Sequence, residues 1–327
     1  MARPLRIMFP GAVYLVSCYG NDGKNIFKND RDRTKFIELL DQSAKIYRIK
    51  VYGYVLLSDH FHLLIETPTG NLSEFMRHFN ITYTSYFNRI NKRLGHLYRG
   101  RYKSILVDKS NYLSMISRYI HLNPIRVNTM KNKPLKEKER YLKDYKWSSL
   151  PGYISKRVDE EFIDYQVILD EYKEYSTNIR NEYKKRLLQD MKEDLTIKDK
   201  IIGQTLLGRG EFIGWVRKNF LEEENARECP SCRDIMKFDA KEKILKAIKI
   251  ETGKSIEEIQ TEKGYIRQIS MDLLYREGGL SGSDVGNILG VDYSTVSQER
   301  KRLRERMQRD EKVNKLMGRI EHQFFML

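Results

Sequence analysis

Two apolar runs, residues 48–57 and 60–66, meet at Ser58-Asp59, and the second opens with His60-Phe61-His62. Runs of this length and composition, bounded by turn residues, are expected to be β-strands. On a strand, residues i and i+2 point to the same face, so the two imidazoles are expected side by side. Imidazole is the commonest protein ligand for a catalytic metal, and two adjacent rings make most of a site. The pair reads equally well as one ring packed in the core and one filling a strand position. Only six histidines occur in the chain, and two of them are here.

The flanking sequence alternates in type. Residues 11–19 read as a strand, and 30–47 carry helical periodicity through Phe36, Leu39, Leu40 and Ala44. Residues 72–90 form a second expected helix with Asn71 available as its cap. Residues 98–107 read as a fourth strand and 111–122 as a helix stopped by Pro124. The order β-α-β-β-α-β, followed by a further helix, is that of a split βαβ sheet of ferredoxin-like type. The expected class is therefore α+β, with a domain over residues 1–150. Residues 151–238 read as a charge-rich helical connector, with 198–220 helical, and 239–260 as a further helix. The span 239–327 is expected to be an all-α domain.

A net charge of +15 and a pI near 9.5 point to a polyanionic partner, nucleic acid first. At 327 residues the chain has room for two or three domains with their own cores. No stretch approaches the ~20 apolar residues of a membrane span, and residues 1–11 lack the apolar core of a signal peptide. Three cysteines do not make a disulfide framework, so the expected compartment is the reducing cytoplasm, with no membrane partner. Cys229-Pro-Ser-Cys232 has zinc-knuckle or redox spacing, yet no second pair or nearby histidine completes a site, and two incidental thiols are the better reading.

A candidate nucleophile follows the fourth strand. In Arg118-Tyr119-Ile-His-Leu-Asn123-Pro124, Tyr119 and Asn123 are i and i+4 and share a helix face, whereas His121 lies off it. A tyrosine facing a metal can attack a phosphodiester, because phenolate is a covalent nucleophile and the cation polarises the phosphate. Asn123 reads either as an oxygen ligand beside His60 and His62 or as a helix cap before proline. With 21 tyrosines in the chain, Tyr119 taken alone also reads as a half-buried aromatic.

Several stretches in order carry a resemblance. They are Gly20-Asn-Asp, Asp59-His-Phe-His-Leu-Leu-Ile65, Gly95-His-Leu-Tyr-Arg-Gly-Arg-Tyr-Lys103, Tyr119-Ile-His-Leu-Asn-Pro-Ile-Arg126 and Trp147-Ser-Ser149. Residues 11–147 resemble the HUH single-tyrosine transposases, especially the REP-associated tyrosine transposases. The resemblance implies that His60 and His62 are metal ligands for Mg²⁺ or Mn²⁺ and that Tyr119 is the nucleophile. It also implies nicking of single-stranded DNA, often beside a hairpin, with a 5′-phosphotyrosine and a free 3′-hydroxyl as products. Asn123, one turn beyond the tyrosine, matches a third ligand. Two positions depart from the pattern: Asp59 stands where Asn is usual, and Tyr14-Leu15 where Tyr-His is frequent.

The flanks suit DNA. Arg99, Arg101 and Lys103 are expected to alternate along one face of the fourth strand, and Arg118 and Arg126 flank the nucleophile helix as phosphate contacts. Tyr98 and Tyr102 read as base-stacking or packing residues. Towards the carboxy terminus, Val285, Ile288 and Leu289 form the apolar face of one helix, Gly290 permits a turn, and Asp292 or Ser294 caps a second. That helix offers Tyr293, Ser294, Thr295, Ser297 and Gln298 near its start, where base edges are read, then Arg300, Lys301, Arg302 and Arg304 for phosphates. A helical packing module with a solvated face has the same pattern. With Tyr265–Leu274 included, residues 240–320 resemble the DNA-binding domain of the replication initiator DnaA. That resemblance adds Arg267 to the DNA-contacting set and duplex DNA to the partners. Tyr293 and Ser294 replace two of its reading residues. The combined expectation is a DNA transposase, monomeric or homodimeric, targeted by its tail; the alternatives are a catalytically silent DNA-binding regulator and a replication-type nickase.

Overall fold

The first helix sets the pattern for how local chemistry places each element. Asn29 accepts the Asp32 amide at 3.1 Å, capping α1 (Asp30–Tyr47), and Phe36, Leu39, Leu40 and Ala44 go into the core from one face. The computed structural model describes residues 6–155, 160–221, 235, 240–278 and 280–327. Cys229 and Cys232 lie outside the described residues. The chain divides into two compact units, one holding 6–197 and the other 198–327. The connector expected over 151–238 is therefore not a unit of its own: its first part belongs to the amino-terminal unit.

In that unit β1 (Ala12–Tyr19), β2 (Lys50–Leu56), β3 (His60–Thr67) and β4 (Lys103–Val107) form an antiparallel array in the order β2-β3-β1-β4. With α1 after β1 and α2 (Leu72–Ile90) after β3, this is the split βαβ arrangement the element order implies. Alternation on β3 then sorts its side chains. Phe61 goes to the α1/α2 side, where its ring centroid is 4.8 Å from that of Phe36. His60 and His62 go to the opposite face, where α3 (Lys109–His121) packs on β1, β2 and β3.

Gly53 lets α3 come close. A Cβ there would lie 3.0 Å from Ser149 Oγ and 3.2 Å from Ile120 Cδ1, and the strand carries a register shift between Val51 and Gly53. Beyond α3, after α4 (Asn128–Lys131), α5 (Leu135–Asp144) and α6 (Leu150–Ile154), a further layer is built from α7 (Tyr165–Leu169) and α8 (Ile179–Lys192). Polar bonds stitch it to α3: Ser117 Oγ to the Tyr183 hydroxyl at 2.8 Å, and His121 Nδ1 to the same hydroxyl at 2.7 Å.

Three expected elements differ. The fourth strand begins at Lys103 rather than 98, because Gly100 at φ +74° turns the chain; Tyr98 keeps only an isolated bridge to Gly20. Residues 198–220 are not one helix but a 3₁₀ turn, a two-residue strand β5 (Leu206–Leu207) and α9 (Gly210–Phe220). The helix expected over 239–260 is broken by Gly253 at φ +70° into α10 (Ala240–Thr252) and α11 (Ile256–Thr261), the latter capped by Ser255.

The carboxy-terminal unit continues with α12 (Tyr265–Arg276), α13 (Gly282–Leu289), α14 (Tyr293–Met307) and α15 (Glu311–Met326). Val285 and Leu289 of α13 join Val296 and Leu303 of α14 and Ile269 and Leu273 of α12 in one buried core. Ser281 and Asp284 form a capping box on α13, Gly290 ends it at φ +66°, and Asp292 caps α14 by accepting the Thr295 amide at 2.7 Å. Among the described residues no helix is long and apolar enough to cross a membrane.

Candidate active site

Antiparallel register between β1 and β3 sets Ser17 opposite His62 and Tyr19 opposite His60. Side chains on one face of such a pair lie within contact distance, and here they bond. Ser17 Oγ is 2.7 Å from His62 Nδ1. The Asp59 carboxylate accepts from His60 Nδ1 at 2.8 Å, and the two imidazole centroids are 5.2 Å apart at 87°. Both rings are thus engaged through Nδ1, which leaves Nε2 as the nitrogen for a cation. Burial, with His60 and Arg126 adding to it, pulls His62 down to about 3, so its ring is a neutral imidazole with a lone pair. This donor chemistry fits a divalent metal. Among the described residues no group of three or more His, Cys, Asp or Glu side chains is placed to hold one, so a ligand of another kind has to complete the set.

Tyr119 projects from the last turn of α3, half-buried. The Arg126 guanidinium lies 4.5 Å from its ring centroid and donates a hydrogen bond to the Leu195 carbonyl. Arg126 also acts electrostatically on His62, and the Tyr119 phenol acts on the Tyr19 phenol, whose ring stacks on His60. Burial first, then Tyr119, raises the Tyr19 pKa. Tyr119, Arg126, Tyr19 and the two histidines therefore share one neighbourhood, although Tyr119 and His60 are far apart in sequence. Asn123 is buried, and its Nδ2 donates to the Tyr119 carbonyl at 2.9 Å and the Ile120 carbonyl at 3.3 Å. That is the helix-capping role; only its Oδ1 is left as a ligand atom.

Several expected contacts fall elsewhere. Arg118 is not a phosphate contact: its Nε meets Asp190 Oδ2 at 2.5 Å and its NH1 donates to Ser114 Oγ and the Tyr172 hydroxyl. It ties α3 to α8 with little exposure, because one residue round the helix from Tyr119 points into the outer helical layer. Arg99, Arg101 and Lys103 are all exposed, but Arg99 and Arg101 precede the strand and do not alternate along it. Lys103 stays close, its Nζ 5.8 Å from the Tyr19 ring centroid. Tyr98 and Tyr102 are buried, and Tyr102 carries the Arg6 guanidinium 3.8 Å from its centroid, so both are packing residues. His121 is enclosed between Tyr183 and Ser149, and burial pulls its pKa down to about 3.

On the carboxy-terminal unit, Tyr293, Ser294, Ser297, Gln298, Lys301, Arg302 and Arg304 are exposed along α14, and Thr295 is half-buried. Arg300 is a correction: its Nε bonds Asp272 Oδ1 at 3.2 Å and its guanidinium lies 3.7 Å from the Tyr275 centroid, packing α14 on α12. Arg302 pairs with Glu299 of its own helix. Arg267 donates to the Leu289 carbonyl at 2.8 Å, closing the end of α13.

Ser17 and Tyr19 escaped sequence reasoning. The signal that finds them is register: residues i and i+2 of β1 face residues i and i+2 of β3.

Residues 14–123 match the family model of IS200-like transposases. The transposase-like segment spans about a third of the chain and contains His60, His62, Tyr119 and Asn123. A solved structure described as a REP-associated tyrosine transposase bound to a REP hairpin is similar over 51% of this chain and 96% of its own, with 12% identity and a TM-score of 0.39. No curated protein matches.

Proposed function

We propose that residues 6–197 form a single-tyrosine DNA-nicking domain, with His60 and His62 as metal ligands and Tyr119 as nucleophile. The observation that carries this reading is the convergence of Tyr119 with both histidines through Arg126 and Tyr19. The Tyr119 oxygen attacks a backbone phosphorus, forming a phosphotyrosine bond to the 5′ side of the break. The bond from phosphorus to the 3′ oxygen breaks, the tyrosine gives up its proton, and the departing oxygen takes one to become a 3′-hydroxyl. Bound Mg²⁺ or Mn²⁺ would polarise the scissile phosphate and offset its developing charge. Arg126 supplies a fixed positive charge beside the phenol, which favours its ionised form. Lys103 and the exposed Arg99 and Arg101 offer cations for a single strand or hairpin substrate. Asn123 Oδ1 is the nearest amide oxygen in sequence to complete the ligand set.

For the carboxy-terminal unit we read α13 and α14 as a duplex-binding helix-turn-helix. The row Ser294, Ser297, Gln298, Lys301 and Arg304 runs along one exposed side of α14, next to the capped turn at Gly290. In this reading the tail selects or retains the site at which the strand is cut.

The test is incubation of the full chain and Mn²⁺ with single-stranded hairpin oligonucleotides, followed by denaturing electrophoresis. A protein–DNA adduct that disappears in Tyr119→Phe and in His62→Ala is expected. No adduct across a broad oligonucleotide library, with duplex binding retained, would instead mark the chain as a DNA-binding regulator.

A further inference from the structure

One large aromatic at the site has no part in this chemistry. Tyr19 ends β1, and it is 39% exposed although the strand before it is buried from Ala12 to Cys18. Its ring lies flat on His60, with centroids 4.8 Å apart and 19° between planes. His62 has little freedom of its own: it is 4% exposed, and Ser17 holds its Nδ1. His60 opens β3 at the rim, so packing alone does not orient it.

Two contacts do. The stack sets the plane of the imidazole, and the Asp59 carboxylate on Nδ1 sets its rotation within that plane. Together they leave one position for Nε2. The backbone that carries both groups is pinned as well. The Gly20 amide donates to the Asp59 carbonyl at 2.7 Å, and the Arg99 amide donates to the Tyr19 carbonyl at 2.8 Å. A Cβ on Gly20 would stand 1.9 Å from the Lys24 carbonyl oxygen, so only glycine permits this approach.

We infer that Tyr19 is a positioning residue: its ring, acting with the Asp59 carboxylate, fixes the His60 imidazole for the cation. The inference rests on His60 being a metal ligand. It also gives Asp59, the departure from the transposase pattern, a task that a charged acceptor performs well, since a carboxylate partner raises the basicity of the ligating nitrogen.

The experiment is a Mn²⁺ titration of the full chain without DNA, read by calorimetry or by loss of the free-ion electron paramagnetic signal. Tyr19→Ala is expected to weaken Mn²⁺ binding about tenfold, and Asp59→Ala by about 10- to 100-fold. Tyr19→Phe keeps the flat face and should bind within about twofold of the native chain. Tyr19→Leu keeps bulk without the face, should bind as weakly as Tyr19→Ala, and separates stacking from loss of fold, with the thermal midpoint as the check. Native-like affinity in Tyr19→Ala or Tyr19→Leu would overturn the inference, as would Tyr19→Phe binding no better than Tyr19→Ala. A native chain that binds no Mn²⁺ would overturn it together with the metal reading. Mn²⁺ binding without any DNA adduct would sink the nicking reading alone.

Discussion

The two units keep their polar chemistry in opposite places. In residues 6–197 the polar groups that matter are inside: His62, Ser17, His121, Ser149, Ser117 and Asn123 are all buried and most have a bonded partner. In residues 198–327 the core is aliphatic, and the polar row of α14 faces outwards on capped helices. Interior polar groups are costly when a partner is lost, so each is tied to a definite geometry. A surface row tolerates change and needs only a rigid helix beneath it. The first arrangement suits attack by one atom on another; the second suits contact with a long repetitive polymer.

That contrast breaks most visibly at Arg118. Replacing it by alanine leaves Asp190 largely buried without its cation and removes a donor to Tyr172. We expect a loss of about 3 kcal/mol or more in urea unfolding of the amino-terminal unit; a loss below about 1 kcal/mol would show that the outer helical layer is not braced through this residue.

A second expectation concerns pH. His121 is held neutral, with its pKa pulled by burial from 6.5 to about 3. Below 6.5 the unfolded chain takes up a proton that the folded chain refuses, so stability falls as pH falls through this window. From this side chain alone the loss at pH 5 is about 2 kcal/mol relative to neutral pH. His121→Asn, which does not titrate, should reduce the pH dependence between 7.5 and 5 by that amount while lowering stability at neutral pH. An unchanged slope in the variant would place the charge-sensitive group elsewhere.

The smallest stability effects belong to the outward row. Lys301→Ala and Arg304→Ala should each alter thermal unfolding by less than about 0.5 kcal/mol. Each should lower the slope of log affinity for duplex DNA against log salt by about 0.9. Equal salt slopes in native and variant chains would move the duplex contact off α14.

What could be read from the sequence follows the same division. The helix over 30–47 and the strand at His60-Phe61-His62 are legible because periodicity, caps and alternation are local. The apolar spacing of Val285, Leu289 and Val296 anticipates their burial for the same reason. Arg118 and Arg300 were misjudged, since a cation on a helix looks alike whether it meets a phosphate or an aspartate brought from another element. Arg99 was misplaced by a single glycine with positive φ. Tyr19 was invisible because its importance depends on which residue of β3 lies opposite, and strand register is a long-range property.

Arg118 on Asp190 and Arg126 on the Leu195 carbonyl hold the nucleophile helix at two points of one segment. A gene trimmed after codon 150 would keep every residue of the transposase match and still release that helix. The seam at which evolution could exchange the tail without disarming the tyrosine therefore lies near residue 197, well beyond where the recognisable motifs stop.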